Sequence, residues 1–365
     1  MKITDIKLGH ILVPLKKPFK TALRRVDSVE NVVVKIETDS GQVGYGEAPP
    51  TGVITGDTIG SIIGAIEEHI KVLLIGMDIE NLEGIMFKLD NSLVKNTSAK
   101  AAIDIAIYDL YGQLYNVPVY KLLGGYRKEI PNDITISIND PEEMANDSIN
   151  AVEQGYETLK IKVGNNLELD LKRMQAIRDA VGYDVNLRID ANQGWSPKEA
   201  IFIIRKIEDL GLNIELVEQP VEASDIKGLK MVTDNVITPI LADESVFSPK
   251  DAMTIIQMRA ADLINIKLMK TGGIHNALKI CSMAEVYGVE CMLGCMLESN
   301  ISVTAAAHLA AGKSIITKFD LDGPILCKED PMEGGAIFKG NKIVVTDEPG
   351  FGFKKIHETN YKEII

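Results

Sequence analysis

Apolar and polar positions alternate with a period of two from Ile3 to Leu12 and again through Val32-Val33-Val34-Lys35-Ile36-Glu37-Thr38. A turn at Asp39-Ser40-Gly41 leads into Gln42-Val43-Gly44-Tyr45-Gly46-Glu47. Period two puts alternate side chains on opposite faces, so the first ~50 residues read as an antiparallel meander. The polar stretch Phe19 to Arg25 lies between the strands, and Pro49 to Thr58, rich in Pro, Gly and Thr, reads as a loop. From Ser61 to Leu123 the period becomes helical. It is clearest over Ala99 to Leu114, and Leu122-Leu123-Gly124-Gly125 reads as a helix stop. A meander followed by helices predicts an α+β capping unit over residues 1–125.

Beyond Asn132 short apolar runs alternate with amphipathic ones. The predicted strands are Ile134 to Ile138, Thr158 to Lys162, Val185 to Asp190, Ile214 to Glu218, Ile240 to Asp243, Leu263 to Lys267, Glu290 to Leu293 and Ile315 to Phe319. Helices are predicted between them, as at Pro197 to Leu210, Pro249 to Arg259, His275 to Tyr287 and Ser299 to Ala311. Eight strands with intervening helices predict an α/β barrel over residues 126–335 rather than an open sheet. The eighth strand runs into Asp322-Gly323-Pro324 instead of a barrel helix, and residues 336–365 return to strand and loop that should pack on the capping unit.

Composition narrows the partners. With 39 Lys and Arg against 52 Asp and Glu, the net charge is −13, which argues against nucleic acid and anionic membranes. An apolar fraction of 45% supplies an ample core, yet no apolar run reaches the length of a membrane span. The N-terminus lacks an uninterrupted apolar segment of the signal-peptide kind, and the four cysteines form no CxxC pair, so a reduced, cytoplasmic protein is expected. The five histidines are scattered without HxH or HExxH spacing, so any metal should be held by oxygen.

The candidate chemistry centres on Lys160-Ile161-Lys162. Two lysines on one face of an apolar strand would by themselves suit a protected sheet edge. What ends the neighbouring strands argues otherwise: Asp190 on the third, Glu218 on the fourth, Asp243 on the fifth and Lys267 on the sixth. The successive gaps of 28, 25 and 24 residues are each one strand–helix unit. Barrel chemistry sits at that end of the strands, where three converging carboxylates need a cation, and oxygen-only ligands point to Mg²⁺. Strands two and six of an eight-stranded barrel lie opposite each other, so Lys162 and Lys267 would face one another across the mouth. A carboxylate bound to the metal has an acidified α-proton, which one lysine would remove while the other returns a proton to the opposite face through an enediolate. Lys160 would depress the pKa of Lys162 and offer a cation to the substrate carboxylate.

These marks, with Ile189-Asp190-Ala191-Asn192, Val217-Glu218-Gln219-Pro220, Ala242-Asp243-Glu244-Ser245 and Lys267 followed by Thr271-Gly272-Gly273, resemble the enolase superfamily, muconate-lactonizing-enzyme subgroup, over essentially the whole chain. The resemblance implies a capping domain on a (β/α)7β barrel, consistent with the missing last helix, and one Mg²⁺ per subunit of a homo-oligomer. The subgroup includes cycloisomerases, o-succinylbenzoate synthases, N-succinylamino acid racemases and dipeptide epimerases. Asp320 and Asp322, on one face at the end of strand eight, resemble the pair with which dipeptide epimerases hold the α-ammonium of the N-terminal residue. The resemblance makes Arg24 the candidate for an acidic side chain on the epimerised residue, beside an ambiguous Arg25. Glu298 and Ser299 are candidates for orienting the substrate carboxylate, although Glu298 would equally suit a helix cap. The expectation is a Mg²⁺-dependent dipeptide epimerase inverting the α-carbon of the C-terminal residue (L-Ala-D/L-Glu or related). The alternatives are an N-succinylamino acid racemase or a muconate-type cycloisomerase.

Overall fold

The computed structural model describes residues 1–21, 25–164 and 166–364, so Arg24 lies outside the described residues. Strands Ile3–Lys20, Arg25–Thr38 and Val43–Ala48 form an antiparallel sheet, extended at its outer edge by Tyr361–Glu363 from the tail. The first strand is longer than its alternation suggests. After a register shift between Pro14 and Phe19, Phe19 pairs with Val26 and Lys20 with Arg25. Val13, Leu15 and Val29 account for this extension: they are buried against Leu297 and Cys327 of the barrel, giving the far half of the hairpin its own apolar footing. Helix Thr97–Leu114 lies across this sheet. The approach is so close that a Cβ on Gly46 would stand 1.8 Å from the Ala102 carbonyl oxygen, and one on Gly44 2.2 Å from that of Ala106.

The barrel strands are Ile134–Ile136, Thr158–Lys162, Asn186–Asp190, Ile214–Glu218, Ile240–Ala242, Leu263–Ile266, Glu290–Gly294 and Ile316–Asp320, hydrogen-bonded in sequential order. Strand parity sorts their side chains. Ile161, Ile189 and Val217 join the large core cluster, whereas Leu216, Leu241, Leu263 and Met292 form a separate cluster on the other face. Lys160, Lys162, Asp190 and Glu218 share the parity of that second set. Between the first and eighth strands the described residues show no ladder. Side chains close the seam instead: Asp322 accepts the Thr135 N–H (2.8 Å) and Asn132 accepts the Leu321 N–H (2.8 Å). A four-residue helix, Gly323–Leu326, stands where a full barrel helix would otherwise follow. Farther along, Lys342–Val344 pairs with Glu129–Pro131 at the barrel's start, and the Phe351 N–H binds Asp109 of the capping helix (2.9 Å). Among the described residues no helix is long and apolar enough to cross a membrane.

Barrel helix Ile274–Tyr287 has Gly273 as its N-cap and no capping side chain of its own. Asp104 of the capping helix takes that role, accepting the N–H groups of Ile274 (2.6 Å) and His275 (3.1 Å). Burial nevertheless pushes its carboxyl up to about 8. Gly273 has φ +117°, and a Cβ there would stand 2.2 Å from Asp104 Cγ. Gly273→Ala is therefore expected to cost on the order of 1–3 kcal/mol in backbone strain and about 0.5–2 kcal/mol more in the lost cap. Urea unfolding of the variant measures the sum, and an unchanged midpoint would contradict this account.

Candidate active site

Ladder register brings the chemistry together. Lys162 is the direct partner of Asp190, and Asp190 of Glu218, on strands about 4.8 Å apart. Asp243 follows the end of strand five, and Lys267 follows strand six as N-cap of the short helix Leu268–Thr271. Neighbouring amides fix these side chains. Gln219 Oε1 accepts the N–H groups of Asp243 (2.9 Å) and Ser245 (3.1 Å), holding the end of strand five in place. Asn265 Nδ2 donates to Glu218 Oε1 (2.8 Å), and the Asn192 N–H donates to Asp190 Oδ1 (2.9 Å).

Each lysine has a carboxylate. Lys162 Nζ lies 2.6 Å from Asp190 Oδ2, and Lys267 Nζ 2.7 Å from Asp243 Oδ2. Lys160 lies among three, at 3.0 Å from Asp190, 2.7 Å from Glu218 and 2.6 Å from Asp320. Burial disfavours its charge, but Asp190, Asp320 and Glu218 outweigh that and hold its pKa well above the usual lysine value. Its ammonium is thus committed to protein carboxylates, where the sequence suggested a cation offered to substrate. Burial likewise opposes the charge of Lys267, and Asp243 overcomes it, raising that lysine too. Asp190 and Asp243 are buried as well, yet the lysines hold both below the ordinary carboxylate range. Glu218 goes the other way, raised to about 8 by burial and by Asp190.

Four further groups belong to the site: Lys270 and Asn265 went unnamed in the sequence, and Asn192 and Glu244 stood in its motifs without a role. Lys270 Nζ reaches Asp243 Oδ1 (2.5 Å) and the Asn265 carbonyl (3.0 Å) from one turn beyond Lys267. Glu244 accepts from Asn192 Nδ2 (3.2 Å), and burial with Asp243 raises its carboxyl to about 7. Asn192 and Asn265 complete the set. Helical spacing in Lys267-Leu268-Met269-Lys270 and the acidic pair Asp243-Glu244 were available signals.

The buried carboxylates Asp190, Glu218, Asp243, Glu244, Asp320 and Asp322 outnumber the buried lysines Lys160, Lys162, Lys267 and Lys270 by two charges when all are ionised. Glu244 Oε2, Asn192 Oδ1 and Asn265 Oδ1 are buried acceptors without a hydrogen-bond partner. Crowded carboxylates beside unfilled oxygen acceptors fit a hard divalent cation. Among the described residues no three acidic, His or Cys side chains have the spacing of a ready-made metal site, the Lys160 ammonium lying between Asp190 and Glu218.

Above them opens a cleft between the barrel mouth and the capping domain. Lys160, Lys162, Lys267, Asn192, Thr135, Asp320 and Asp322 line it from the barrel, and Phe19, Thr21, Val53 and Ile54 from the capping domain. Cys295, Met296 and Leu297, after strand seven, form a further wall. Asp190, Glu218 and Asp243 lie deeper, behind the lysines. Glu298 does not line the cleft. Its carboxylate turns back to accept the Met296 N–H (2.6 Å), and burial raises it to about 7. Ser299 caps the following helix and bonds Glu47 of the capping domain (2.8 Å), so both side chains are engaged by protein partners outside the cleft lining.

Known proteins match the chain from end to end. The sequence profile of the mandelate racemase / muconate lactonizing enzyme N-terminal domain matches residues 3–124, and that of the enolase C-terminal domain-like family matches residues 143–358. The L-Ala-D/L-Glu epimerase of Clostridium acetobutylicum is 66% identical over 357 residues, spanning 98% of this chain and 100% of the relative. A substrate-liganded complex of the L-Ala-D/L-Glu epimerase from Bacillus subtilis superposes with a TM-score of 0.97 at 53% identity, covering 98% of this chain and 100% of that one. The dipeptide epimerase of Enterococcus faecalis V583, complexed with Mg and L-Leu-L-Tyr, superposes with a TM-score of 0.94 at 44% identity, covering 97% and 100%. The chain belongs to the mandelate racemase / muconate lactonizing enzyme group of the enolase superfamily.

Proposed function

We propose that this protein is a Mg²⁺-dependent dipeptide epimerase that inverts the α-carbon of the C-terminal residue of a dipeptide such as L-Ala-L-Glu. The observation that carries the reading is a single cleft holding lysines from opposed strands two and six together with the Asp320 and Asp322 carboxylates. Asp190, Glu218 and Asp243 would hold one Mg²⁺ per chain, which when bound stabilises negative charge on the substrate carboxylate as the α-proton leaves. Inversion needs one lysine as free amine to take the proton and the other as ammonium to supply one from the opposite face. The roles exchange in the reverse reaction. Lys162 beside Asp190 and Lys267 beside Asp243 stand on opposed strands, so each serves as acceptor or donor according to the configuration of the substrate. The capping-domain side chains Phe19, Val53 and Ile54 cover the mouth and limit water around the α-carbon.

Asp320 and Asp322 discriminate between substrate classes. Two carboxylates beside an anionic substrate weaken binding unless it also carries a positive group, which a free dipeptide does and an N-acylated amino acid does not. A charge-assisted contact of this kind contributes roughly 1.5–3 kcal/mol, or about ten- to a hundredfold in kcat/KM. Asp320→Asn with Asp322→Asn should therefore cripple turnover of L-Ala-L-Glu, and the parent should reject its N-acetyl form. An asparagine in place of Asp322 retains an oxygen to accept the Thr135 N–H, so the seam should survive. Burial and Asp320 raise the Asp322 carboxyl to about 6. Below that pH it protonates and the ammonium loses a partner, so kcat/KM should fall there in the parent, and Asp322→Asn should lack that limb. Equal kcat/KM for free and acetylated dipeptides, or a preference for an N-succinylamino acid, would reassign the enzyme to the racemase class.

A further inference from the structure

Glu47, on the third capping strand, is fully buried against the barrel. Its Oε1 accepts the Ser299 N–H (2.9 Å) and Asn31 Nδ2 (2.6 Å). Oε2 accepts the Ser302 N–H (3.0 Å) and the hydroxyls of Ser299 (2.8 Å) and Ser302 (2.8 Å). One carboxylate from the capping domain thus satisfies the N-terminus of the 13-residue barrel helix Asn300–Gly312. Asn31 Nδ2 also donates to the Leu297 carbonyl (3.2 Å), so the connection extends into the turn whose residues Cys295, Met296 and Leu297 wall the cleft. On its barrel side the same turn is held by Glu298, through the Met296 N–H.

We propose that Glu47, acting through Asn31 and Ser299, is a positioning residue that locks the Cys295–Ser299 wall of the cleft to the capping domain and thereby sets the affinity for substrate. It touches no reacting atom. Because the wall's partners come from both domains, the cleft reaches its binding shape only where cap and barrel are docked at this carboxylate. No other side chain reproduces the arrangement. Backbone N–H groups meet both oxygens, so Gln in either orientation sets its NH2 against an N–H that cannot turn away, and Asp is one methylene too short.

The test rests on the epimerase reading for its substrate and has a second readout that does not. Steady-state kinetics with L-Ala-L-Glu would be measured for the parent, Glu47→Gln and Asn31→Ala, together with hydrogen exchange of the segment 295–303 by mass spectrometry. Both variants should raise KM about tenfold or more with kcat within about threefold, and should speed exchange in that segment while leaving the rest of the barrel protected. Asn31→Ala leaves every Glu47 bond to Ser299 and Ser302 in place, so it decides the matter if Glu47→Gln does not fold. Unchanged KM, with kcat falling only as the folded fraction falls, would reduce Glu47 to a structural group and overturn the proposal, as would unaltered exchange in the segment. A parent without dipeptide epimerisation would defeat the proposed function instead, and local exchange would still decide whether the wall depends on Glu47.

Discussion

Lys162→Ala and Lys267→Ala should each lose epimerisation by about 10²–10⁴-fold, the range typical of a positioned acid or base. Each should retain exchange of the α-proton of one stereoisomer, the one presented to the surviving lysine. The charge arrangement makes this a test of chemistry rather than of folding. Removing Lys162 leaves Asp190 with Lys160 at 3.0 Å, and removing Lys267 leaves Asp243 with Lys270 at 2.5 Å. Neither variant therefore strands a buried carboxylate without an ammonium, the situation that destabilises by several kcal/mol. In D2O, L-Ala-L-Glu and L-Ala-D-Glu incubated separately with each variant should show mirror-image behaviour: one variant deuterates only the first, the other only the second. Parent-rate epimerisation by either variant, or exchange of both isomers by both, would remove the two-base assignment.

The strand–helix alternation of the barrel was legible because each strand is short, apolar and bounded by a helix start. The register of Lys162, Asp190 and Glu218 followed from nothing more than the length of one strand–helix unit. The extension of the first strand to Lys20 was not legible, because what stabilises it is distant: Val13 and Leu15 pack on Leu297 and Cys327 of the barrel. Asp104 and Glu47 escaped for the same reason, each capping a helix far along the chain. Lys160 and Glu298 show a different limit. Sequence spacing gave the face of the strand and the end of the turn, but not which partner each side chain meets. Lys160 lies among three carboxylates and Glu298 closes its own turn. Thr271-Gly272-Gly273 was readable as a motif, while the physical need for Gly273 appeared only with Asp104 against it.

Among the three candidate Mg²⁺ ligands, Glu218→Gln should give the cleanest loss of function. Stabilising charge on the substrate carboxylate is worth several kcal/mol, so activity should drop by about 10³-fold or more. The protein should meanwhile remain folded, for two reasons. The amide oxygen of the substituted side chain would still accept the Asn265 Nδ2 hydrogen bond, and the carboxyl it replaces is already raised to about 8 by burial and by Asp190, so a neutral group there relieves repulsion. Asp190→Asn and Asp243→Asn should be equally inactive and distinctly less stable. Lysines hold both carboxyls below their ordinary range, so neutralising either leaves buried ammonium groups short of a counter-charge: Lys162 in one case, Lys267 and Lys270 in the other. Breaking a buried pair in this way costs about 3–5 kcal/mol. A readout besides activity separates ligand loss from damage, because Mg²⁺ that binds only the folded chain raises Tm in proportion to its affinity. That Mg²⁺-dependent rise should be present in the parent and missing from all three variants, with Glu218→Gln alone keeping the Tm of the Mg²⁺-free parent. A parent whose Tm and activity ignore both Mg²⁺ and excess chelator, or a Glu218→Gln variant that still gains stability from Mg²⁺, would take these carboxylates out of the metal site.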